Sequence, residues 1–282
     1  MAGEIKNPLE NASPAERDPD SAAAGEPRDG GVNAPVVLIP VSAADATRGR
    51  RRAVMIAWVV GLIALGTAGY LYKRSVDPIH AQESYDAGVR LLKITRYSQA
   101  ILSFDRAIAL KPDFVDAYLE RGKTFVADSQ TERAIRDFTR VTEFRPNDAA
   151  PLVARGNAYI ELKDYQSAIA DANRALAIDP KSAAAYTLRG VVFRSQGNLS
   201  GALEDFGRAI HLAPNETDYY ERGATYQMLG EHRLAIADFT QVIAFRPDAA
   251  AGYFARAESL RATGDPEGAQ QDFLQGRIID GR

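Results

Sequence analysis

Two kinds of hydrophobic pattern divide the chain. From residue 81 onward, apolar positions recur at intervals of three and four, in short blocks broken by turns such as GNLS at Gly197, GEH at Gly230 and GDP at Gly264. That spacing puts apolar side chains on one face of a helix and predicts a run of amphipathic helices. Residues 53–72, AVMIAWVVGLIALGTAGYLY, carry no charge and no polar stripe. A helix of that length spans about 30 Å, the hydrocarbon thickness of a bilayer. Residues 1–52 have no apolar period and are rich in Ala, Pro, Asp and Glu. They are expected to be a disordered arm, because they cannot bury enough surface to offset the entropy of ordering. The short run VVLIPV from Val36 is read as a Pro-broken part of that arm, with a linear partner motif as the alternative.

The helical region repeats itself. Pro112, Pro146, Pro180 and Pro214 are 34 residues apart, and Pro247 follows after 33. Gly88, Gly122, Gly156, Gly190 and Gly223 keep the same steps, as do Ala100, Ala134, Ala168, Ala202, Ala235 and Ala269. Phe104, Phe138, Phe206, Phe239 and Phe273 mark a further position, with Ala172 in the third copy. Each copy therefore reads as two helices. Gly and Ala let them approach, an aromatic fills the space beside them, and Pro ends the second. After the Pro, Asp113, Asn147, Asn215 or Asp248 is expected to cap the next helix. One such pair cannot bury its apolar face alone, so copies must stack.

In one copy the order is Tyr219, Arg222-Gly223, Tyr226, then Ala235, Phe239 and Pro247. This resembles the tetratricopeptide repeat, a 34-residue helix–turn–helix unit. The resemblance covers residues 81–282 and implies an all-α superhelix of about six copies, at 81–114, 115–148, 149–182, 183–215, 216–249 and 250–282. Residues 73–80 are then a linker. There are two departures from the family pattern. The usual Trp near the start of each copy is Tyr, Leu or Ser here, and the usual Leu before the Gly is Arg.

That Arg has a counterpart. Arg121, Arg155, Arg189, Arg222 and Arg256 are each followed sixteen residues later by an acid: Asp137, Asp171, Asp205, Asp238 and Asp272. Copy one has neither, holding Ala87 and Ser103. Because the two come and go together, each Arg is expected to pair with the Asp of its own copy as a structural ladder, by two parallel hydrogen bonds.

The cations flanking residues 53–72 set an orientation. Arg48, Arg50, Arg51 and Arg52 precede the span, and only Lys73 and Arg74 follow it closely. By the positive-inside rule, the N-terminus is expected in the cytoplasm and the repeats across the membrane. Arg far outnumbers Lys and Ala is abundant, a composition that suggests a bacterial chain, with the inner membrane and periplasm as its setting. A leading region of 52 residues is too long for an ordinary signal peptide. Cleavage near Ala68, releasing a soluble periplasmic protein, is the alternative.

The net charge of −3 excludes a strongly basic nucleic-acid binder. With no Cys, disulfides, thiolate metal sites and Cys nucleophiles are excluded. His80, His211 and His232 have no metal-ligand spacing, and no phosphate loop or serine elbow is present. The sequence therefore predicts no catalytic, cofactor or metal site. NLS at Asn198 and NET at Asn215 match the glycosylation pattern and are read as chance matches.

What the resemblance implies is recognition of a protein or peptide on the concave face, lined by the first helix of each copy. Mapped onto this chain, that groove holds Tyr85, Leu119, Lys123, Asn157, Arg194, Tyr220, Gln227, Phe254, Glu258 and Arg261. Val153, Thr187, Val89, Val191, Ala224, Leu92, Val126 and Ile160 occupy the remaining places. One subfamily grips a chaperone's C-terminal carboxylate; here only Asn157 matches, with Tyr85 and Val89 in the copy-one places, so that ligand is not implied. The last copy ends at GRIIDGR without a further helix. Phe273, Ile278 and Ile279 are therefore expected to form an exposed edge open to self-association. The expected function is a non-catalytic, membrane-tethered scaffold or adaptor, with a regulatory or substrate-holding subunit of an envelope enzyme complex as the alternative.

Overall fold

The computed structural model describes residues 43–281, and the expected arm up to residue 42, with its VVLIPV run, lies outside them. The chain divides into two compact units, Met1–Leu62 and Ile63–Arg282. Among the described residues of the first, all is helix. The described residues of the second form an all-α stack. The elements are α1 (Ala43–Lys93), α2 (Tyr97–Leu110), α3 (Val115–Ala127), α4 (Thr131–Phe144), α5 (Ala149–Glu161), α6 (Tyr165–Ile178), α7 (Ala183–Ser195), α8 (Leu199–Leu212), α9 (Glu216–Met228), α10 (His232–Phe245), α11 (Ala250–Ala262) and α12 (Pro266–Ile279).

Two expectations about α1 are corrected. The helix starts at Ala43, inside the expected arm, and continues through residues 73–80, the expected linker. The first difference follows from composition: Ala and Arg dominate residues 43–53 and are among the best helix formers. The second turns on Pro78, which stands within the helix. A proline removes one backbone bond but can be carried where helix flanks it on both sides. The segment Arg50–Tyr70 is long and apolar enough to cross a membrane, and Val54, Ile56, Trp58, Leu62 and Leu65 along it are exposed.

Helix starts differ from expectation in an informative way. Asp148, Ser182 and Asn215 cap α5, α7 and α9, accepting from the backbone N–H groups of Ala150, Ala185 and Asp218. Asp113, Asn147 and Asp248 cap nothing, because the cap falls on the second residue after the Pro: Phe114, Asp148 and Ala249. Copy four is one residue shorter, which brings Asn215 into the capping place directly after Pro214. Asn198 caps α8 in the same manner. Both glycosylation-like triplets thus begin at helix caps, where Asn is favoured for its own hydrogen bond.

The core is a contact repeated down the stack. Phe104, Phe138, Phe206 and Phe239 are fully buried. Each ring lies where a β-carbon on the glycine of its copy would stand: 2.6 Å from Phe104 at Gly88, 2.7 Å from Phe138 at Gly122, and 2.8 Å from Phe206 at Gly190 and from Phe239 at Gly223. In copy three, where the aromatic is Ala172, Leu188 from the next copy fills the space against Gly156.

The ends of the stack are marked by polar residues at inter-copy positions. Copy one has exposed Glu83 and Arg90 where later copies bury Ala117, Pro151, Ala185 or Gly252, and Thr124, Ala158, Val192, Thr225 or Ser259. Copy six has exposed Gln270 and Arg277 where earlier copies hold Ile101, Ile135, Ile169, Leu203 or Ile236, and Ile108, Leu176, Ile210 or Ile243. Phe273, Leu274 and Ile278 are exposed beside them, whereas Ile279 is half-buried, against the expectation for that residue. The C-terminal edge is therefore mixed in character rather than wholly apolar.

Because the Phe206 ring is enclosed, Gly190→Ala should destabilise by about 1–3 kcal/mol through overpacking, measured by urea unfolding. Adding Phe206→Leu should recover part of that loss.

Candidate functional site

Each ladder arginine lies on the first helix of its copy and reaches the second. Arg121 Nε and Nη2 donate to Asp137 at 2.7 Å each. The matching pairs are 2.8 and 2.6 Å for Arg155–Asp171, 2.7 and 2.8 Å for Arg189–Asp205, 2.8 and 2.7 Å for Arg222–Asp238, and 2.7 and 2.8 Å for Arg256–Asp272. The five aspartates are buried and the arginines nearly so. Hydrogen bonds donated to Asp171, Asp205, Asp238 and Asp272 hold the guanidiniums of Arg155, Arg189, Arg222 and Arg256 above the usual arginine value.

The aromatics on both sides of the Arg-Gly pairs in copies two, four and five lie against the ladder cations. Tyr118 and Phe125 lie 5.4 and 5.7 Å from Arg121, Tyr186 and Phe193 lie 5.6 and 5.7 Å from Arg189, and Tyr219 and Tyr226 lie 5.6 and 6.0 Å from Arg222. These faces suit a partly desolvated planar cation. A third arm, not anticipated from the sequence, runs from Nη1 to the preceding copy: Arg121 to Asp105 at 2.5 Å, Arg155 to Thr139 at 3.0 Å, Arg189 to Asn173 at 3.1 Å and Arg256 to Thr240 at 3.1 Å. The signal was available, since a polar residue follows the aromatic position in copies one, two, three and five.

The ten groove positions divide into two sets. Tyr85 packs on Phe104 and Phe114, with ring centroids 5.8 and 5.0 Å away. Leu119 packs on the buried cluster of Ile101, Phe125 and Phe138. Gln227 donates to the Ala255 carbonyl at 3.0 Å and to Ser259 Oγ at 2.8 Å. Phe254 stacks near Phe273 and against Gly276. Arg194 meets Glu221 at 2.5 Å. These five are engaged within the molecule. The other five are exposed: Asn157, Glu258, Arg261, Lys123, which pairs with Glu120 at 2.7 Å, and Tyr220, which rests on Phe239.

Two acids beside the groove were missed. Asp218 is 1% exposed, and accepts from Thr187 Oγ1 at 2.6 Å and from Asn215 Nδ2 at 2.6 Å. Burial raises its carboxyl above the usual range. Burial likewise raises Glu221, against the opposing pull of Arg194. The repeat register held a signal for Asp218, which stands where copies two, three, four and six have Ala117, Pro151, Ala185 and Gly252; it held none for Glu221, whose counterpart in copy two is Glu120.

Tetratricopeptide repeat models match residues 155–221, and residues 85–149 and 220–278. The chain belongs to the tetratricopeptide repeat family. Such repeats are protein–protein interaction scaffolds. Among solved structures, a chain of the APC/C hetero-tetramer Cut9–Hcn1 is 18% identical, with a TM-score of 0.66; the match covers 76% of this chain and 43% of that one, less than half its length. PilW, a type IV pilus biogenesis factor, is 19% identical, with 70% and 92% coverage and a TM-score of 0.63. A tetratricopeptide repeat protein from Parabacteroides merdae is 22% identical, with 75% and 83% coverage and a TM-score of 0.62. At these identities the likeness is one of fold. No curated protein matches the chain.

Two predictions follow from the buried charges. Asp205→Ala leaves the Arg189 guanidinium without its carboxylate and should cost about 3 kcal/mol. Glu204→Ala on the exposed face should stay within about 0.5 kcal/mol, both read from urea midpoints. The raised carboxyl of Asp218 keeps its proton in the folded state at pH values where the unfolded chain has lost it. Its contribution to stability is therefore greatest in mild acid and falls as pH rises through the interval between the ordinary and raised values. Asp218→Ala, the residue copies two and four carry there, should remove that dependence. Relative to the variant, the unaltered protein should gain melting temperature as pH is lowered from neutral.

Proposed function

We propose that the protein is a non-catalytic scaffold, tethered to a bilayer by the helical stretch Arg50–Tyr70, that holds a protein partner in the groove of its repeats. The observation that carries this reading is the chain's order: one segment long and apolar enough to span a membrane, followed by six copies of an interaction repeat. The groove side chains left exposed give the partner-facing surface its character. Tyr220 supplies an aromatic anchor, and Lys123, Asn157, Glu258 and Arg261 supply polar and charged contacts. A surface of that mix suits a polar segment with one buried apolar residue better than a wholly apolar helix.

The cation excess before the span, at Arg48 and Arg50–Arg52, supports an N-terminus in the cytoplasm and repeats on the far side. In a bacterial cell that places the repeats in the periplasm, facing exported proteins. The Arg–Asp ladder has a structural part in this reading: it braces the two helices of each copy and offers its charges to each other rather than to a ligand.

Since the chain has no cysteine, Ala177→Cys gives a single reporter of sidedness. A membrane-impermeant maleimide should label it in intact spheroplasts, and labelling only after lysis would reverse the orientation. For the groove, photoreactive residues at Asn157 and Glu258 should capture the same protein. Residues at Arg174 and Ala237, exposed on second helices, should not. Equal capture from both sets would remove the groove as the working surface.

A further inference from the structure

The five junctions between successive copies are not built alike. At four of them a ladder arginine reaches back to a side chain on the preceding second helix: Asp105, Thr139, Asn173 or Thr240. At the junction of copies four and five, that place is Gly207, which has no side chain to accept, and the two bonds of Arg222 go to Asp238. A β-carbon on Gly207 would stand 4.0 Å from Arg222 Nη1. The arginine is thus in position, and only the acceptor is missing.

The connecting loop at this junction differs as well. The other four junctions have a turn at Pro112–Asp113, Pro146–Asn147, Pro180–Lys181 and Pro247–Asp248, whereas Ala213–Asn215, one residue shorter, has none. In exchange, copy five holds copy four from the groove side. Asp218 accepts from Thr187, and Glu221 meets Arg194. Where Asp218 stands, copies two, three, four and six bury Ala117, Pro151, Ala185 and Gly252. The Arg194–Glu221 pair keeps 23% and 20% of its side-chain surface exposed, so it can be reached from the groove. One junction therefore lacks the outer bond and the loop turn that stiffen the others, and its remaining side-chain contacts, the buried Thr187–Asp218 bond and the Arg194–Glu221 ion pair, join the first helices α7 and α9. With no side-chain bond on its outer face and no turn in its loop, α8 and α9 can part by pivoting on the contacts between α7 and α9.

We propose that the junction between copies four and five is the hinge of the solenoid, on which the groove opens and closes around its partner, with Arg194–Glu221 as the latch. The use of the hinge rests on the groove reading above, but the hinge itself is measured with no partner present.

The test uses the full-length protein in detergent, with pairs of cysteines carrying nitroxides. Ala177 with His211 spans the junction of copies three and four, and His211 with Ala244 spans that of copies four and five; all three are exposed. Double electron–electron resonance should give a broader distance distribution for the second pair. Gly207→Thr should narrow it to the width of the first, because its hydroxyl can accept from Arg222 while bonding back to its own helix. Thr139 and Thr240 do both. Gly207→Val, of the same shape without the oxygen, and Gly207→Ala should leave it broad. Glu221→Gln should broaden it further. Equal widths for the two unaltered junctions, or equal narrowing by Thr and Val, would overturn the proposal. A hinge that persists while Asn157 and Glu258 capture no common protein would leave the joint in place and remove only the groove reading.

Discussion

A guanidinium can leave water only where its N–H groups find acceptors, and five of them do so here, one in each of copies two to six. The consequences run through each copy. A buried Asp stands on the opposite helix in all five, an aromatic face lies beside the cation in copies two to five, and the preceding copy offers an oxygen in all but copy five. Arg121, Arg155, Arg189 and Arg256 thus each tie together three helices, namely their own, its partner within the copy and the last helix of the copy before, while Arg222 ties only the first two. A leucine in the same place would bury as well, but it would not select one angle between successive copies. Directional bonds of this kind help make the stack a defined superhelix rather than a pile of apolar faces.

The second constraint is closeness. The buried phenylalanines occupy the space that a side chain on the repeated glycine would need, so the pairing of large and absent side chains sets the distance between the two helices of a copy. Where the phenylalanine becomes Ala172, a residue of the next copy crosses the boundary to fill the gap. The space is conserved in volume while the residue that fills it changes, as close packing requires. Glu83 and Arg90 at one end, and Gln270 and Arg277 at the other, place charge or polarity where a further copy would have to pack. These positions are therefore more polar at the two ends of the described stack than at the junctions within it.

The fold was legible in the sequence because a period of 34 residues, repeated six times, leaves little freedom in how helices can pair and stack. The Arg–Asp spacing was legible for a related reason: both residues are missing together from copy one. Other features were not. The arm from each arginine to the preceding copy crosses a boundary that a within-copy reading does not inspect. The helix caps depend on a one-residue difference in loop length. The extent of α1 was not legible either: the end of the expected arm and the expected linker at 73–80 are both part of the helix. The groove was legible as a set of positions only. Tyr85, Gln227 and Arg194 have the chemistry of binding residues, but Tyr85 packs on rings of its own copy and neighbours on the next copy engage Gln227 and Arg194, and a periodic pattern does not carry that information.

The central claim is that every ladder arginine clamps its own copy and that all but Arg222 also tie it to the copy before, and side-chain nitrogen NMR of the arginines tests it most directly. The account predicts five guanidinium Nε protons exchanging far more slowly with solvent than those of surface arginines. Four of these arginines should also show hindered rotation and protection at Nη1, with Arg222 protected at Nε but not at Nη1. Five arginines exchanging at the solvent-exposed rate would contradict the account, as would Arg222 behaving like the other four.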